Sequence, residues 1–195
     1  MKIIPFTLYR KVLLILLVAG VYASLRYVVF GGVYWAHIPV YILNKTMAVA
    51  AVFTLFLSAL GNFKNDKDMA RDWGTISLHL ALYHVGLSLL ILTPEYYKYW
   101  FWQGKLTFLS EINLTFGVFS TYCYIMLFMT RAKTTHMAVF KLLASVSAGV
   151  HIFAMAYGTW FKPQWWHGYM PPVSLWSFIF TLAAFLIYLK LQDIK

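Results

Sequence analysis

Residues 73–93 read WGTISLHLALYHVGLSLLILT, a run of 21 residues without a single Asp, Glu, Lys or Arg. About 20 consecutive apolar residues are enough for an α-helix to cross the hydrocarbon core of a membrane. The run also holds two histidines, His79 and His84. It therefore predicts a membrane-spanning helix that carries ionisable side chains within its length.

Five other windows share this apolar character: residues 11–30, 38–60, 107–130, 136–157 and 172–191. Of the 195 residues, 62% are hydrophobic and only 11% are charged, and the mean hydropathy is +0.69. Soluble domains are about 45–50% apolar and about 25% charged, so the composition excludes one. We therefore predict an all-α membrane protein, a six-transmembrane-helix bundle that forms one domain over residues 1–195. No segment is left over for a nucleotide-binding domain.

The net charge of +10 is explained by membrane topology and does not indicate nucleic-acid binding. Loops on the cytoplasmic side of membrane proteins are enriched in Lys and Arg. Ten basic residues lie on the side of the two termini: Lys2, Arg10, Lys11, Lys64, Lys67, Arg71, Arg131, Lys133, Lys190 and Lys195. Only Lys98, Lys105 and Lys162 lie in the opposite loops. We expect both termini in the cytoplasm, contact with membrane lipid, and a location in the cell membrane, specifically a bacterial inner membrane.

Ionisable side chains inside membrane spans are functional candidates, because each costs about 2.5–3.5 kcal/mol to place at the centre of a helix. The candidates are Arg26, Lys45, His79, His84 and His151, with His136 at a helix start. No Asp or Glu lies deep within any window. This composition argues against a proton or cation pathway built from carboxylates, and it makes a transporter a less favoured function.

His84 and His151 lie at similar depths on two spans that run in the same direction. Both fall past the middle of the membrane towards the outer side, and at about 1.5 Å per residue their depths differ by about 5 Å. Two imidazoles on separate helices can bind one iron from opposite sides, as in a bis-histidine haem b. Glycines that could let helices or a porphyrin approach closely are Gly74, Gly86, Gly117 and Gly149. The alternative is that each histidine only hydrogen-bonds a neighbouring helix.

The remaining ionisable residues have two possible roles each. Arg26 and Lys45 lie in the outer half of their spans, where they could pair with anionic haem propionates or extend to lipid headgroups. His79 and His136 could hold a second haem, or they could line a cytoplasmic-side pocket or have structural roles. His79 is five residues from His84, so the two histidines do not share a helix face.

Two stretches resemble the ferric reductase-like transmembrane domain superfamily, and the resemblance covers about residues 70–190. In residues 71–84, a basic residue and Gly74 precede His84, with ten residues from the glycine to the histidine. Residues 151–172 begin with a histidine, continue through an aromatic helix end and reach a Tyr-Met-Pro-Pro loop. This second stretch is similar to the membrane domain of the STEAP metalloreductases.

The haem subunit of the periplasmic methionine sulfoxide reductase system is also similar, because its fifth helix opens with a histidine as His136 does here. The resemblance implies one haem b with His84 and His151 as axial ligands. The histidine pairs of the two-haem relatives, 13 or 14 residues apart on both helices, are missing. The fused NADPH domain of the STEAP metalloreductases is missing too.

The sequence thus predicts a haem b-binding electron-transfer protein, the membrane subunit of an oxidoreductase. Its electrons would come from a separate donor protein or a quinol on the cytoplasmic side, with a flavin or quinone near the basic segments 64–71 and 131–133. They would pass to an extracytoplasmic acceptor, either a metal ion or a partner reductase. The alternative is a haem-free structural or assembly subunit of a larger membrane complex.

Overall fold

The computed structural model describes residues 6–33, 37–129 and 137–193. Six long helices follow one another along the chain: α1 (Phe6–Ser24), α2 (Ile38–Phe63), α3 (Lys67–Leu90), α4 (Phe108–Met129), α5 (Met137–Trp160) and α6 (Val173–Asp193). Each of them, α1 together with the turn that extends it, is long and apolar enough to cross a membrane. The prediction of an all-α membrane protein with six spanning helices is confirmed.

The helix boundaries follow the local chemistry of the chain. Pro39 lies in the first turn of α2, where the missing N–H of proline leaves no helical hydrogen bond unmade. Helix α3 begins six residues before the predicted window, because the side chain of Asp66 accepts a hydrogen bond from the backbone N–H of Met69 at 2.9 Å. This N-cap starts the helix within a charged segment that hydropathy alone leaves outside the membrane.

The helices form two pairs that are joined by α6. Helix α2 packs against α1, α3 and α6, while α5 packs against α4 and α6. Helices α3 and α4 contact each other only sparsely, and α3 and α5 have no extensive contact within the described ranges. Helices α3 and α5 are therefore not direct neighbours in the bundle.

The helices alternate in direction, so the bundle has two distinct ends. We call the end that contains Phe6 and the last turn of α6 the terminal end. The opposite, hairpin end carries a small antiparallel pair, β1 (Phe101–Trp102) and β2 (Lys105–Leu106), which is closed by two residues in the left-handed conformation. Exposed aromatic residues cluster in the loops of this end: Tyr99, Trp102, Phe161, Trp165 and Tyr169.

The terminal half of the bundle contains a closely packed core. It is built from Leu55, Ala59, Leu78, Cys123, Tyr124, Ala144, Ala184 and Tyr188. Small side chains let the helices approach, and a Cβ added at Gly61 would lie only 2.6 Å from the backbone nitrogen of Ala70. Buried hydroxyls bond to main-chain carbonyls, as Ser77 does to Ala51 at 2.8 Å. This half is closed by direct helix packing.

Candidate functional site

The structure brings the side chains of His84 on α3 and His151 on α5 close together. The centroids of the two imidazole rings are 6.5 Å apart, and the ring planes are inclined at 74°. His84 lies six residues before the end of α3 and His151 nine residues before the end of α5. At about 1.5 Å per residue, both histidines therefore lie in the hairpin half of the bundle.

Each imidazole is held through its Nδ1 atom. His151 Nδ1 lies 2.8 Å from the main-chain oxygen of Asn113, and a carbonyl can only accept, so this nitrogen carries the proton. His84 Nδ1 bonds the side-chain oxygen of Asn44. In a neutral imidazole the Nε2 atom is then the basic nitrogen. Neither Nε2 has a hydrogen-bond partner among the residues that the structure describes.

Asn44 is fully buried and connects His84 to two further side chains. Its Oδ1 also accepts a hydrogen bond from Ser88 Oγ at 3.1 Å, and its Nδ2 donates to Tyr97 OH at 3.2 Å. All the hydrogen-bonding groups of this amide face the residues around His84. The amide is thus part of a network that joins α2, α3 and the loop after α3.

Helix α4 supports His151 from the other side. Asn113 Nδ2 donates to the main-chain oxygen of His151 at 2.6 Å, so the two residues bond each other twice. A Cβ added at Gly117 would lie 2.8 Å from His151 Nδ1, which means that glycine makes the space for the ring. Of the four glycines singled out in the sequence, Gly117 is the one that contacts a candidate ligand.

Lys45 follows Asn44 on α2 and lies among tyrosine rings. Its Nζ is 5.0 Å from the ring centroid of Tyr41 and 5.6 Å from that of Tyr97. Within the described ranges the ammonium group forms no ion pair with a carboxylate. Lys45 therefore places a positive charge without a carboxylate partner next to Asn44, the residue that bonds His84.

Arg26 lies at the same end of the bundle and is only 4% exposed. A π-helical turn (Leu25–Val29) extends α1 there. Arg26 Nη1 donates to the main-chain oxygen of Met170 in the loop before α6, while Nε is buried without a partner in the described part of the chain. The guanidinium group thus holds this loop by hydrogen bonding and leaves its Nε donor without a partner in the described part of the chain. It does not extend to the surface of the bundle, which was the alternative role.

The second pair of histidines, His79 and His136, stays a prediction, because one of the two lies outside the described residues. His79 is exposed, on a different face of α3 from His84. His136 lies outside the described residues. Across the described ranges, no three His, Cys, Asp or Glu side chains form a group that could hold a metal ion. A bare structural metal ion takes about four protein ligands, so two imidazoles alone do not form such a site.

Several residues of the site were not recognised as such from the sequence. Asn44, Ser88 and Asn113 were not singled out from the sequence. Their signal is a polar side chain at the depth of the histidines in an otherwise apolar span. Lys141 was also missed, although it is charged and within a predicted span; its Nζ donates to Asn62 Oδ1 at 2.6 Å near the terminal end.

No family model matches the chain, and no curated protein is significantly similar to it. The resemblance to the ferric reductase-like transmembrane domain superfamily therefore stays a prediction that the sequence motifs carry alone.

Proposed function

We propose that this protein is a haem b-binding electron-transfer protein of the cell membrane. The observation that carries the proposal is the pair of imidazoles of His84 and His151, which lie on separate helices with their ring centroids 6.5 Å apart. The function is then the transfer of electrons from a donor at the terminal end to an acceptor at the hairpin end.

The spacing of the two rings fits one metal atom between them. Imidazoles that bind one metal from opposite sides through nitrogen have centroids about 6.4 Å apart, since each metal–nitrogen bond is about 2 Å long. The observed separation is 6.5 Å. Because both Nδ1 atoms are engaged, Nε2 is the nitrogen available for ligation in both residues. A porphyrin would supply the remaining nitrogen ligands, so no third protein ligand is required.

Two cations, the buried Arg26 and the half-buried Lys45, support an anionic group near the histidines. Charges in an apolar interior are stable only when they are paired or hydrogen-bonded. Lys45 has no carboxylate partner in the described part of the chain, and Arg26 keeps its Nε unused. Lys45 and Arg26 would hold the propionates, and Tyr41 would shield the ammonium group of Lys45 from lipid.

A haem with two imidazole ligands supplies one-electron transfer and has no open coordination position for substrate. The chain's own residues bind it, orient its ligands and exclude water. The proposal places the terminal end in the cytoplasm of a bacterium, where a donor protein or a quinol would bind, with a flavin or quinone as intermediate. A metal ion or a partner reductase would accept electrons at the aromatic loops of the hairpin end.

The test is the absorption spectrum of the protein purified in mild detergent, with a pyridine haemochromogen assay to identify haem b. We expect a Soret band with resolved α and β bands after reduction. The variants His84→Ala and His151→Ala should each lose these bands, whereas the control His79→Ala should retain them because its side chain is exposed. Retention of the spectrum in both ligand variants would show that the assignment is wrong. Absence of haem from the wild type would favour the haem-free structural or assembly subunit.

A further inference from the structure

We propose that Asn44 is the positioning residue of His84, and that it selects the tautomer of this histidine before any cofactor binds. The tautomer of His84 in the haem-free protein follows from its hydrogen bond to Asn44 alone. Its consequence for a bound haem rests on the proposed function.

The two candidate ligands are held by different kinds of acceptor. His151 donates to a main-chain carbonyl of α4, which no substitution removes. His84 donates to the side chain of Asn44, which a substitution does remove. The tautomer of His151 is thus fixed by the helix backbone, while that of His84 depends on one amide group. Only the second can be tested by mutation.

The orientation of the amide of Asn44 decides which nitrogen of His84 is protonated. With Oδ1 towards His84, the ring must donate from Nδ1, and Nε2 is left as the basic nitrogen. With the amide reversed, Nδ2 would donate to Nδ1 and the proton would lie on Nε2. Tyr97 OH occupies the acceptor position beside Nδ2, and Ser88 Oγ donates to Oδ1. A hydroxyl group can donate or accept, so both contacts are compatible with the first orientation, which is the one in the structure, and the tautomer of His84 tests it.

A hydrogen bond to the distal nitrogen also determines how strongly an imidazole donates electrons to a metal. A stronger acceptor at Nδ1 gives the ring more imidazolate character and stabilises the oxidised metal. Asn44 is a neutral acceptor of intermediate strength. It would therefore set the reduction potential of a haem at this site as well as the orientation of the ligand.

The first test is nitrogen-15 NMR of the haem-free protein, labelled at histidine and held in detergent micelles. The His84 signals are assigned by their loss in His84→Gln. We expect the Nδ1–H tautomer in the wild type and in Asn44→Asp, which keeps an acceptor at the same position. Asn44→Leu should show loss of that single tautomer. The matched control Asn113→Leu removes an amide of the same size near His151 but leaves its main-chain acceptor, so the tautomer of His151 should not change.

Two results would overturn the proposal: a wild-type His84 protonated at Nε2, or an Asn44→Leu variant that keeps the pure Nδ1–H form. If Asn44→Leu does not fold, the wild type is compared with Asn44→Asp instead. A carboxylate can only accept, so Asn44→Asp holds His84 in the Nδ1–H form. A wild type with the reversed amide would show the other tautomer, and this result would overturn the proposal.

The second test is a redox titration of the haem-loaded protein. Asn44→Asp should lower the midpoint potential, whereas Asn62→Leu, which removes an amide near the terminal end, should leave it close to that of the wild type. Equal potentials in the wild type and Asn44→Asp would contradict the tuning role. A chain that binds no haem but shows the expected tautomers would refute the proposed function and leave the positioning role of Asn44 intact.

Discussion

The two halves of the bundle differ in the side chains that lie between their helices. In the terminal half, Leu78, Cys123 and Ala144 fill the space between helices, and the hydroxyl groups return to main-chain carbonyls. The hairpin half has an apolar cluster around Ile152 and Trp160, and it also contains imidazoles, amides and cations. Among the described residues, the side-chain atoms that are buried without a hydrogen-bond partner, Arg26 Nε and Asn113 Oδ1, both lie in this half.

This difference separates the residues that stabilise the fold from those that surround the two histidines. Close packing of small residues stabilises the helix pairs at the terminal end. At the hairpin end the same helices carry the polar groups that contact His84 and His151. Substitutions in the terminal half should therefore affect folding, and substitutions in the hairpin half should affect the site.

The largest effect is expected at Gly61, where α2 and α3 are closest. In Gly61→Ala the added Cβ would lie 2.6 Å from the backbone nitrogen and 2.9 Å from the Cα of Ala70, neither of which can rotate away. Overpacking of this kind costs about 1–3 kcal/mol or more. We expect a lower melting temperature and a reduced yield of monodisperse protein in detergent. The control Gly86→Ala meets no atom within 4 Å and should behave as the wild type.

A glycine-to-alanine substitution in the hairpin half should affect the site more than it affects the stability of the fold. In Gly117→Ala the new Cβ would lie 2.8 Å from His151 Nδ1, so the ring must move away from its main-chain acceptor. We expect a smaller loss of melting temperature than in Gly61→Ala, together with a clear fall in the haem content of the purified protein. Gly158→Ala, at an open position on the same α5 helix as His151, is the control. An unchanged haem content in Gly117→Ala would contradict the placement of the ring.

The fold could be predicted from the sequence because hydropathy and helix rise are local quantities. The apolar windows gave the six helices, and counting residues along two parallel spans placed His84 and His151 at matching depth. The early start of α3 could also have been predicted, since Asp66 is a favourable N-cap residue. These properties depend on residues that are neighbours in the chain.

The environment of the histidines could not be predicted in the same way. Asn44 contacts His84 although 40 residues separate them, and the contact depends on which face of α2 packs against α3. Arg26 is directed inwards at a π-helical turn, whose position the hydropathy pattern does not indicate. The orientation of the bundle in the membrane still rests on the distribution of basic residues alone.

A third substitution tests the uncompensated charge of the hairpin half. In the haem-free protein, replacing Lys45 by Met should raise the melting temperature or leave it unchanged, because a buried unpaired charge costs about 1–3 kcal/mol or more. The same variant should retain less haem if the ammonium group holds a propionate. Lys190→Met is the matched control at the terminal end, where the ammonium group lies 5.4 Å from the ring centroid of Phe63. A marked loss of stability in haem-free Lys45→Met would instead assign Lys45 a structural role.

The smallest effects are expected from two serines on α3, and they make the comparison of the two halves most direct. Ser77 donates to the main-chain oxygen of Ala51 in the terminal half, so Ser77→Ala should cost about 0.5–1.5 kcal/mol of stability and leave the His84 nitrogen-15 signals unchanged. Ser88 donates to Asn44 Oδ1 in the hairpin half. Ser88→Ala should barely change the melting temperature, but it should shift the His84 signals, because Oδ1 then accepts from the imidazole alone. If both variants lowered stability and left the His84 nitrogen-15 signals unchanged, the hydroxyl groups would have the same structural role in both halves. The division of the bundle into a packed half and a binding half would then not hold for α3.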